Sequence, residues 1–419
     1  MSAHLQKTNH KLLRILIAVD KFKGSLTSWE AAQAIRKGIQ RTNPRNISFD
    51  IVEIADGGEG SAQIFKKYGT PNGVSQYKEV ECMATNPVGK QIKTSYLTCD
   101  NKAFIEMACI SGLQLLAQEQ RNPLHTTTYG LGELIRHAAA GGAAEITLSI
   151  GGSATNDGGT GMLQALGFGF LGTNGKPVTN QYMCGKDLEH IVNIVPPPAM
   201  LTLGDAPLIL NNIPVTLKVI CDVTNPLIGA NGATMVYGAQ KGADKTMLQK
   251  LEAGMIQYAS VAERVRLRGH SVTPDNLNIS NYSGTRTASD ATPGAGAAGG
   301  VGFASLYFLG AELISGWSFF AELTNLSQRI AQSDLVISGE GKIDTQSMQG
   351  KVIDGVLQLA SVRQKPVLLF CGKNAMGEDD KKLSGIKIYS ICDMEPDESK
   401  CMSRAGKLLA ALAATAIMR

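Results

Sequence analysis

Short apolar runs alternate along the chain with loops rich in glycine and charged residues, and then with helix-like patterns. The run LLRILIAV (12–19) predicts a strand that places Asp20 at its carboxyl end. After a loop of lysines and a glycine, Thr27 and Glu30 have the spacing of a capping box, which predicts that a helix begins there. The first segment therefore predicts a strand, a charged loop and a helix.

The same arrangement recurs further along the chain. The strand-like runs FDIVEIA (49–55) and ITLSI (146–150) precede glycine-rich residues and a helical pattern, and DLVIS (334–338) precedes a predicted loop at 339–342. Another predicted strand ends at Asp222. Repeated strand, loop and helix units predict open, mostly parallel α/β sheets, in which ligands bind at the carboxyl ends of the strands.

Composition narrows the class of protein. The 419 residues, 43% of them hydrophobic, suffice for two or three globular domains, and 46 glycines fit an α/β protein that binds phosphate through main-chain amides. The net charge of +4 is scattered, which disfavours a nucleic acid partner, and no apolar run resembles a membrane span or an export signal. The eight cysteines form no C-x-x-C pair, which predicts reduced thiols and a cytoplasmic protein.

Several familiar motifs are absent from the sequence. No Gly-Lys dipeptide is followed by Ser or Thr, so the chain has no P-loop. The six histidines lack close metal-ligand spacing, and neither H-E-x-x-H nor G-x-S-x-G occurs, which disfavours zinc hydrolases and α/β-hydrolases. A Mg²⁺ held by one or two carboxylates and by substrate phosphates fits the residues better.

Residues 294–299 match G-x-G-x-x-G, but a polar loop rather than a strand precedes them, which disfavours a dinucleotide site. The helical pattern that follows would place the glycine amides at a helix N-terminus, where phosphate is favoured. A phosphate cradle and tight helix packing are equally compatible with this motif. A second match at 167–172 runs into a predicted turn and has a structural interpretation.

The segment GGSATNDGG (151–159) follows a predicted strand and is denser in polar groups. It offers amide donors for an anion and, in Asp157, a carboxylate for a proton or for Mg²⁺. An Asx-rich turn followed by a helix cap is the alternative. Each acid at a predicted strand end has the same two interpretations, but five acidic strand-end loops in one chain favour a functional role.

Together these motifs resemble the bacterial glycerate kinase family of the glycerate 2-kinase type. The matching segments follow the family's order over nearly the whole chain: AVDKFKGSL (18–26), IADGGEG (54–60), AFIEMACISGLQLL (103–116), RNPLHTTTYGLGELI (121–135), IGGSATNDGGTGMLQALG (150–167), CDVTNPLIGANGAT (221–234), PGAGAAGGVGFA (293–304), FLGAEL (308–313) and SGEGKIDTQSMQGKV (338–352). Family members commonly have Pro-Asp-Ser where this chain has Val19-Asp20-Lys21, so a role for a hydroxyl at position 21 does not carry over.

The resemblance implies a kinase that uses ATP and Mg²⁺ to phosphorylate D-glycerate. It also implies an α/β fold of two α/β domains, one inserted in the other, with a Rossmann- or flavodoxin-like parallel-sheet domain and an active-site cleft between the domains. We expect 1–85 and 290–419 to form the discontinuous Rossmann-like domain, and 86–289 to form the inserted α/β domain. The family's usual product favours 2-phosphoglycerate, with 3-phosphoglycerate as the alternative.

Phosphoryl transfer requires charge neutralisation, an aligned hydroxyl and a proton acceptor. From the loop chemistry we predict Asp157 as the general base, with Asp56 or Asp344 as alternatives, and Lys351 as a catalytic cation. The candidates for binding substrate or phosphate are Asp20, Lys21, Lys23, Gly57, Gly58, Gly151, Gly152, Ser153, Asn156, Asn225, Gly294, Gly296, Gly299 and Gly300. The candidates for Mg²⁺ and its waters are Glu59, Asp222, Glu340 and Asp344.

Two other classes of protein stay open. An oxidoreductase would bind a dinucleotide at 294–299, where the missing strand argues against it. A non-catalytic sensor of an organic acid is disfavoured, because the many acidic residues beside the glycine loops would repel a carboxylate ligand. The expected ligands are D-glycerate and ATP, with neither nucleic acid nor membrane as a partner, and a homodimer is left open.

Overall fold

Strands and helices alternate along the chain, as the apolar pattern predicts. The structure is a computed structural model that describes residues 12–42, 46–55, 57–58, 60–69, 77–197, 208–210, 213–269, 289–348, 351–376 and 385–417. Two candidate site residues, Asp56 and Glu59, therefore lie outside the described residues, and so does most of the polar stretch 271–292.

The strands are β1 (Leu13–Val19), β2 (Ile47–Glu53), β3 (Lys78–Thr85), β4 (Gln91–Cys99), β5 (Lys102–Glu106), β6 (Glu145–Ser149), β7 (Gly169–Leu171), β8 (Asn193–Val195), β9 (Leu208–Leu210), β10 (Ile213–Ile220), β11 (Glu312–Ile314), β12 (Leu335–Ile343), β13 (Val367–Asn374) and β14 (Lys387–Ser390). The helices are α1 (Ser28–Thr42), α2 (Ser61–Tyr68), α3 (Ala108–Ser111), α4 (Tyr129–Ala140), α5 (Thr160–Ala165), α6 (Ala233–Tyr237), α7 (Lys245–Gly269), α8 (Val301–Leu309), α9 (Gly316–Leu323), α10 (Leu326–Gln332), α11 (Val352–Val362), α12 (Glu398–Ser403) and α13 (Ala405–Ala416). No helix among the described segments is both long enough and apolar enough to cross a lipid bilayer.

The chain forms two compact units, one of Met1–Asp56 with Trp317–Arg419 and the other of Gly57–Gly316. Both ends of the chain thus belong to the first unit. The bounds of the units differ from the predicted domain boundaries at 85/86 and 289/290. The difference arises because β3 pairs with β4, and because α8 packs into the core of the second unit.

The first unit is built on a five-stranded sheet in the order β14-β13-β12-β1-β2, in which every neighbouring pair is parallel. Numbered within this unit alone, the order is 2-1-3-4-5, which is that of doubly wound, flavodoxin-like proteins. The predicted parallel α/β fold is confirmed. The strand order reverses between β1 and β12, and in such sheets ligands bind at the carboxyl ends of the strands beside this reversal.

Helices cover both faces of this sheet. Ile337 and Phe370 share a core with α1 and α13, whereas Leu369 and Cys371 share another with Ile353 of α11. Because neighbouring strand residues point to opposite faces, the alternation along β13 assigns the two cores to the two faces. Burial on both faces explains why the central strands read as nearly continuous apolar runs.

The predicted capping box at the start of α1 is confirmed. The backbone N–H of Thr27 donates to Glu30 Oε2 at 2.9 Å, and the backbone N–H of Glu30 donates to Thr27 Oγ1 at 3.2 Å. Donation from the backbone and the hydroxyl of Thr27 lowers the pKa of the Glu30 carboxyl. These reciprocal bonds satisfy donors that a helix N-terminus leaves without partners, and they fix where the β1 loop ends.

Residues 339–342, which the sequence predicts as a loop, belong to β12 and pair with β13. A Cβ atom at Gly339 would overlap the carbonyl oxygen of Phe370, and a Cβ atom at Gly372 would overlap that of Gly341. The glycines therefore let two strands approach each other closely. The prediction of a loop here is wrong because glycine serves strand contact rather than a turn.

A mixed sheet organises the second unit. The strands β11, β10, β6 and β5 are parallel neighbours in that order, and β4 and β3 continue the sheet in antiparallel pairing. Residues of α4, α5, α7 and α8 pack with these strands in one core. Parallel strands end on the same side of a sheet, so the segments after β5, β6 and β10 leave it at one edge.

Replacing Gly38 by Ala tests the packing of α1 against α13. A Cβ atom at Gly38 would overlap the carbonyl oxygen of Ala410, so we expect Gly38→Ala to lower the free energy of unfolding by about 1–3 kcal/mol. Gly406→Ala is the matched control, because its Cβ would lie 3.7 Å from Leu26 Cδ2, an ordinary contact. The control should be neutral or stabilise by up to about 1 kcal/mol in denaturant unfolding. Equal stability of the two variants would contradict this packing.

Candidate functional site

Three predicted binding residues follow β1 in the first unit. Asp20 is buried, and its backbone N–H donates to the carbonyl of Gly339 at 2.9 Å, so the chain continues alongside β12. Its Oδ1 accepts the backbone N–H of Lys21 at 2.7 Å. Lys23 is exposed in the tight turn 22–26, which three backbone hydrogen bonds close. The two lysines therefore lie next to the carboxyl end of a central strand.

Glu340, Asp344 and Lys351 lie between the last residues of β12 and the start of α11. The register of β1 against β12 makes Asp20 and Glu340 the next opposing positions on adjacent strands. Asp344 forms an ion pair of 3.1 Å with Lys342 and keeps 29% of its side chain exposed. Lys351 is the residue before α11. The acidic and basic candidates of this unit thus cluster along β1 and β12, where a sheet of this order binds its ligands.

One of the Mg²⁺ candidates, Asp222, uses a carboxylate oxygen within the fold. Asp222 Oδ1 accepts the backbone N–H of Gly316 at 2.7 Å and the hydroxyl of Ser315 at 3.2 Å, so Asp222 stabilises the start of α9. Over the described ranges, no group of three or more His, Cys, Asp or Glu side chains could hold a metal. Mg²⁺ needs only one or two carboxylates when phosphates complete its shell, so its site need not be a cluster of three or more such side chains.

Gly57 and Gly58 lie beside the loop that follows β6 in the second unit. The backbone N–H of Gly151 donates to the carbonyl of Gly57 at 3.1 Å, and a Cβ atom at Gly151 would lie 2.5 Å from Gly58 Cα. The structure therefore brings together glycines predicted from two separate segments. Their absence of side chains allows the two segments to touch. The Gly151 N–H is already used in this contact and is not available to a phosphate.

Asp157 is fully buried and accepts four hydrogen bonds. Its Oδ2 accepts the backbone N–H and the hydroxyl of Thr128, both at 2.8 Å, and the N–H of Gly161 at 3.2 Å, while Oδ1 accepts the N–H of Gly159 at 3.1 Å. Burial raises the pKa of the Asp157 carboxyl, and these donors oppose the shift. A general base must reach the proton it removes, so this enclosure argues against the predicted role of Asp157. The carboxylate instead joins the starts of α4 and α5.

Sequence patterns do not reveal Lys241, which lies beneath the same loop. Its side chain is only 2% exposed, and its Nζ donates to Ser153 Oγ at 2.9 Å and to the carbonyl of Thr155 at 2.7 Å. Burial lowers the pKa of Lys241 to about 7, and the negative charge of Asp157 opposes this shift. Lysines are rarely buried, so nothing in the local sequence distinguishes this one from a surface residue.

Glu106 is a second residue that the sequence left unassigned. It ends β5 and is buried, and its two carboxylate oxygens accept the backbone N–H groups of Gly60 at 3.0 Å and of Ala62 at 2.9 Å. These donors belong to the start of α2, so Glu106 satisfies a helix N-terminus from another element. A glutamate inside the apolar run 103–108 is the one signal that could have identified it.

The two asparagine candidates are largely engaged within the protein. Asn225 Nδ2 donates to the carbonyl of Asn231 and Oδ1 accepts the hydroxyl of Tyr237, both at 2.8 Å. Asn156 Nδ2 donates to Thr234 Oγ1 at 2.9 Å. The buried Oδ1 of Asn156 has no hydrogen-bond partner among the residues that the structure describes. Asn225 therefore serves the local fold, and Asn156 keeps one acceptor.

The glycines at 294–300 pack against protein backbone. A Cβ atom at Gly296 would overlap the carbonyl of Pro226, and one at Gly299 would overlap the carbonyl of Thr155. No strand occurs in the described residues 289–293 before the motif, and α8 begins after it, as predicted. Four backbone N–H groups of this segment donate to protein carbonyls, those of Ala295, Gly296, Ala297 and Gly300. Of the two interpretations of Gly294, Gly296, Gly299 and Gly300, this geometry supports tight packing.

The buried ammonium of Lys241 predicts a pH-dependent stability. Between pH 7 and 9 the unfolded chain keeps the lysine proton while the folded chain releases it, so stability should rise with pH by about 1 kcal/mol per unit. The difference in unfolding free energy between the wild type and Lys241→Met should therefore move in favour of the wild type over this range. Lys245→Met, at an exposed position nearby, is the control variant. A constant difference for Lys241→Met would mean that the folded protein keeps the proton.

The chain is similar over most of its length to proteins named as glycerate kinases. Residues 15–419 match the model of the glycerate kinase family. Glycerate 2-kinase of Escherichia coli (strain K12) is 40% identical over 362 residues, which cover 86% of this chain and 85% of that protein. Glycerate kinase of Halalkalibacterium halodurans is 38% identical over 365 residues, which cover 87% of this chain and 86% of that protein.

A solved structure has the same fold. The crystal structure of a candidate glycerate kinase 2 from Salmonella typhimurium LT2 superposes with a TM-score of 0.68 at 33% identity, covering 97% of this chain and 98% of that one. Family resemblance, fold and sequence similarity thus agree. The chain therefore belongs to the glycerate kinase family and is a kinase that transfers a phosphoryl group to an alcohol acceptor.

Proposed function

We propose that the protein phosphorylates D-glycerate with ATP and releases 2-phosphoglycerate, with 3-phosphoglycerate as the alternative product. The observation that carries this proposal is the family match over residues 15–419. The relative from Escherichia coli is named glycerate 2-kinase, and that name supports transfer to the 2-hydroxyl. The absence of a P-loop in the sequence means that ATP must bind through other loops.

Both substrates are anions, so the site must supply cations and hydrogen-bond donors. In the first unit, we assign this role to Lys21, Lys23 and Lys351, which lie near the carboxyl ends of β1 and β12. In the second unit, we assign it to the loop that contains Gly152 and Ser153. Most of the amides at 294–300 donate to protein carbonyls, which makes them weaker candidates for phosphate.

We propose that Glu340 holds Mg²⁺ together with the phosphates of ATP, and that Asp344 is the second ligand if another carboxylate is the general base. Both belong to the first unit, on β12 and directly after it, and Asp344 is open to solvent. Carboxylate oxygens are the ligands that Mg²⁺ prefers, and few are needed when phosphates contribute. When bound, the ion would neutralise phosphate charge that otherwise opposes attack by a hydroxyl.

The proton acceptor needs a carboxylate that a substrate hydroxyl can reach. Asp157 does not offer one, because its side chain is enclosed and its oxygens already accept four donors. Asp344 keeps 29% of its side chain exposed and forms an ion pair with Lys342. We therefore propose Asp344 ahead of Asp157 as the general base, with Asp56 as the remaining alternative.

The activity is tested directly with purified full-length protein, ATP, Mg²⁺ and D-glycerate. We expect ADP release that depends on D-glycerate, followed in a coupled assay, and ³¹P NMR should locate the new phosphate on the 2-hydroxyl. L-glycerate serves as the stereochemical control and should react more slowly. Phosphate on the 3-hydroxyl would correct the product. No ADP release by folded protein would contradict the proposal and direct attention to other hydroxy acids.

The two candidate bases are separated by a pair of Asp→Asn variants. We expect Asp344→Asn to lower kcat by about 10²–10⁴-fold at normal stability, the usual cost of losing a general base. Asp157→Asn should instead lower the free energy of unfolding by about 1–3 kcal/mol, because its amide cannot accept all four donors. Asp244→Asn is the control, since Asp244 is exposed and its Oδ1 accepts the N–H of Met247, which an amide oxygen can also accept.

Three results would revise this assignment. Normal stability with a loss of kcat above about 10²-fold in Asp157→Asn would restore Asp157 as the base. Recovery of Asp344→Asn by excess Mg²⁺ would identify Asp344 as a metal ligand only. Full activity of Asp344→Asn would leave Asp56 as the acid to replace next.

A further inference from the structure

Lys241 is held in a fixed position beneath the loop that follows β6. It ends the short 3₁₀ turn Ala239–Lys241, and the next residue, Gly242, has a φ of +98°. A Cβ atom at Gly242 would overlap the carbonyl of Arg121, so this turn is closely packed from outside. The backbone therefore fixes the position from which the buried lysine side chain extends.

The end of this side chain orients the hydroxyl of Ser153. When Lys241 is protonated, its ammonium has three N–H donors and no acceptor, so Ser153 Oγ then accepts from Nζ across their 2.9 Å contact. The hydroxyl proton of Ser153 then points elsewhere. No residue that the structure describes accepts this proton in a hydrogen bond. The lysine thus leaves Ser153 as a donor with an unused proton.

Ser153 keeps a small part of its surface exposed, and Lys241 lies deeper. Ser153 is 8% exposed and Lys241 2%, and the serine belongs to the loop at the carboxyl end of β6. The neighbouring amides of Gly151 and Ala154 donate to the carbonyls of Gly57 and Ser111, at 3.1 and 2.9 Å. These two amides are therefore used within the fold, whereas the Ser153 hydroxyl can still donate to a ligand.

An anionic ligand at Ser153 would change the charge balance around Lys241. The charged side chain that acts on Lys241 is Asp157, and burial of the lysine disfavours its charged form. An anion bound at Ser153 would add a negative charge near Nζ, which favours the ammonium form. Anion binding would thus favour the protonated lysine, and the protonated lysine would keep the Ser153 hydroxyl as a donor to the anion.

We propose that Lys241 is a positioning residue, which orients the Ser153 hydroxyl as a hydrogen-bond donor to an anionic oxygen of a bound substrate. This inference rests on the proposed function and names a part of the same site. The anionic oxygen belongs to the carboxylate of glycerate or to a phosphate of ATP. The KM values of the two substrates distinguish these sources.

The test compares Ser153→Ala, Lys241→Met and the double variant in steady-state kinetics, with Lys245→Met as the exposed control. Loss of a hydrogen bond to a charged group should raise one KM by about tenfold or more, with kcat and the other KM within about threefold. Lys241→Met should raise the KM of the same substrate. The double variant should be no worse than the more affected single variant, because both remove one donor.

A purely structural lysine would behave differently. For such a lysine, the effect of Lys241→Met on KM would add to that of Ser153→Ala, and this additivity would overturn the inference. Unchanged KM values for both substrates in Ser153→Ala would overturn it as well, and this variant remains informative if Lys241→Met does not fold. Lys241→Gln, which keeps an N–H donor, should recover part of the lost KM effect.

Failure of the inference can be told from failure of the proposed function. Wild-type turnover of D-glycerate with an unaffected Ser153→Ala variant would overturn the inference alone. Absence of wild-type turnover would overturn both. A rise in the KM of glycerate would assign the Ser153 hydroxyl to the carboxylate, and a rise in the KM of ATP would assign it to a phosphate.

Discussion

Opposite charges buried beneath one loop hold the centre of the second unit together. The carboxylate of Asp157 and the ammonium of Lys241 are both removed from water, and either charge alone would be costly to desolvate. Neutral groups satisfy each of them: N–H and O–H donors surround the carboxylate, and two oxygens accept from the ammonium. These hydrogen bonds hold the loop at 151–157 in place, so the position of Ser153 depends on buried groups.

The first unit positions its candidate site residues in a different way. Its parallel sheet places Asp20 beside Glu340 through the register of β1 and β12, and glycines let β12 and β13 approach each other closely. Main-chain geometry, rather than a buried charge, thus locates the acidic and basic side chains of this unit. In both units the residues assigned to substrate follow the carboxyl ends of parallel strands, as the doubly wound architecture favours.

Local patterns in the sequence predicted those features that depend on interactions between neighbouring residues. The strand β1, the capping box of Thr27 and Glu30, and the helix after 294–300 depend on nearby residues, and the structure confirms them. The glycines at 339–342 misled the prediction because glycine marks a turn and a close strand contact equally well. Lys241 and Glu106 could not be predicted, since their partners come from distant segments. The sequence singled out Asp157 for its loop, but only tertiary packing shows that its carboxylate faces inward.

Glu106 also limits where a small inorganic ion can interfere. The start of α2 presents backbone N–H groups of the kind that bind phosphate or sulfate, but the carboxylate of Glu106 already occupies those of Gly60 and Ala62. The protein therefore carries its own anion at this position. Free phosphate or sulfate would have to displace a buried negative charge to bind there, which leaves these ions fewer places at which to compete with a substrate.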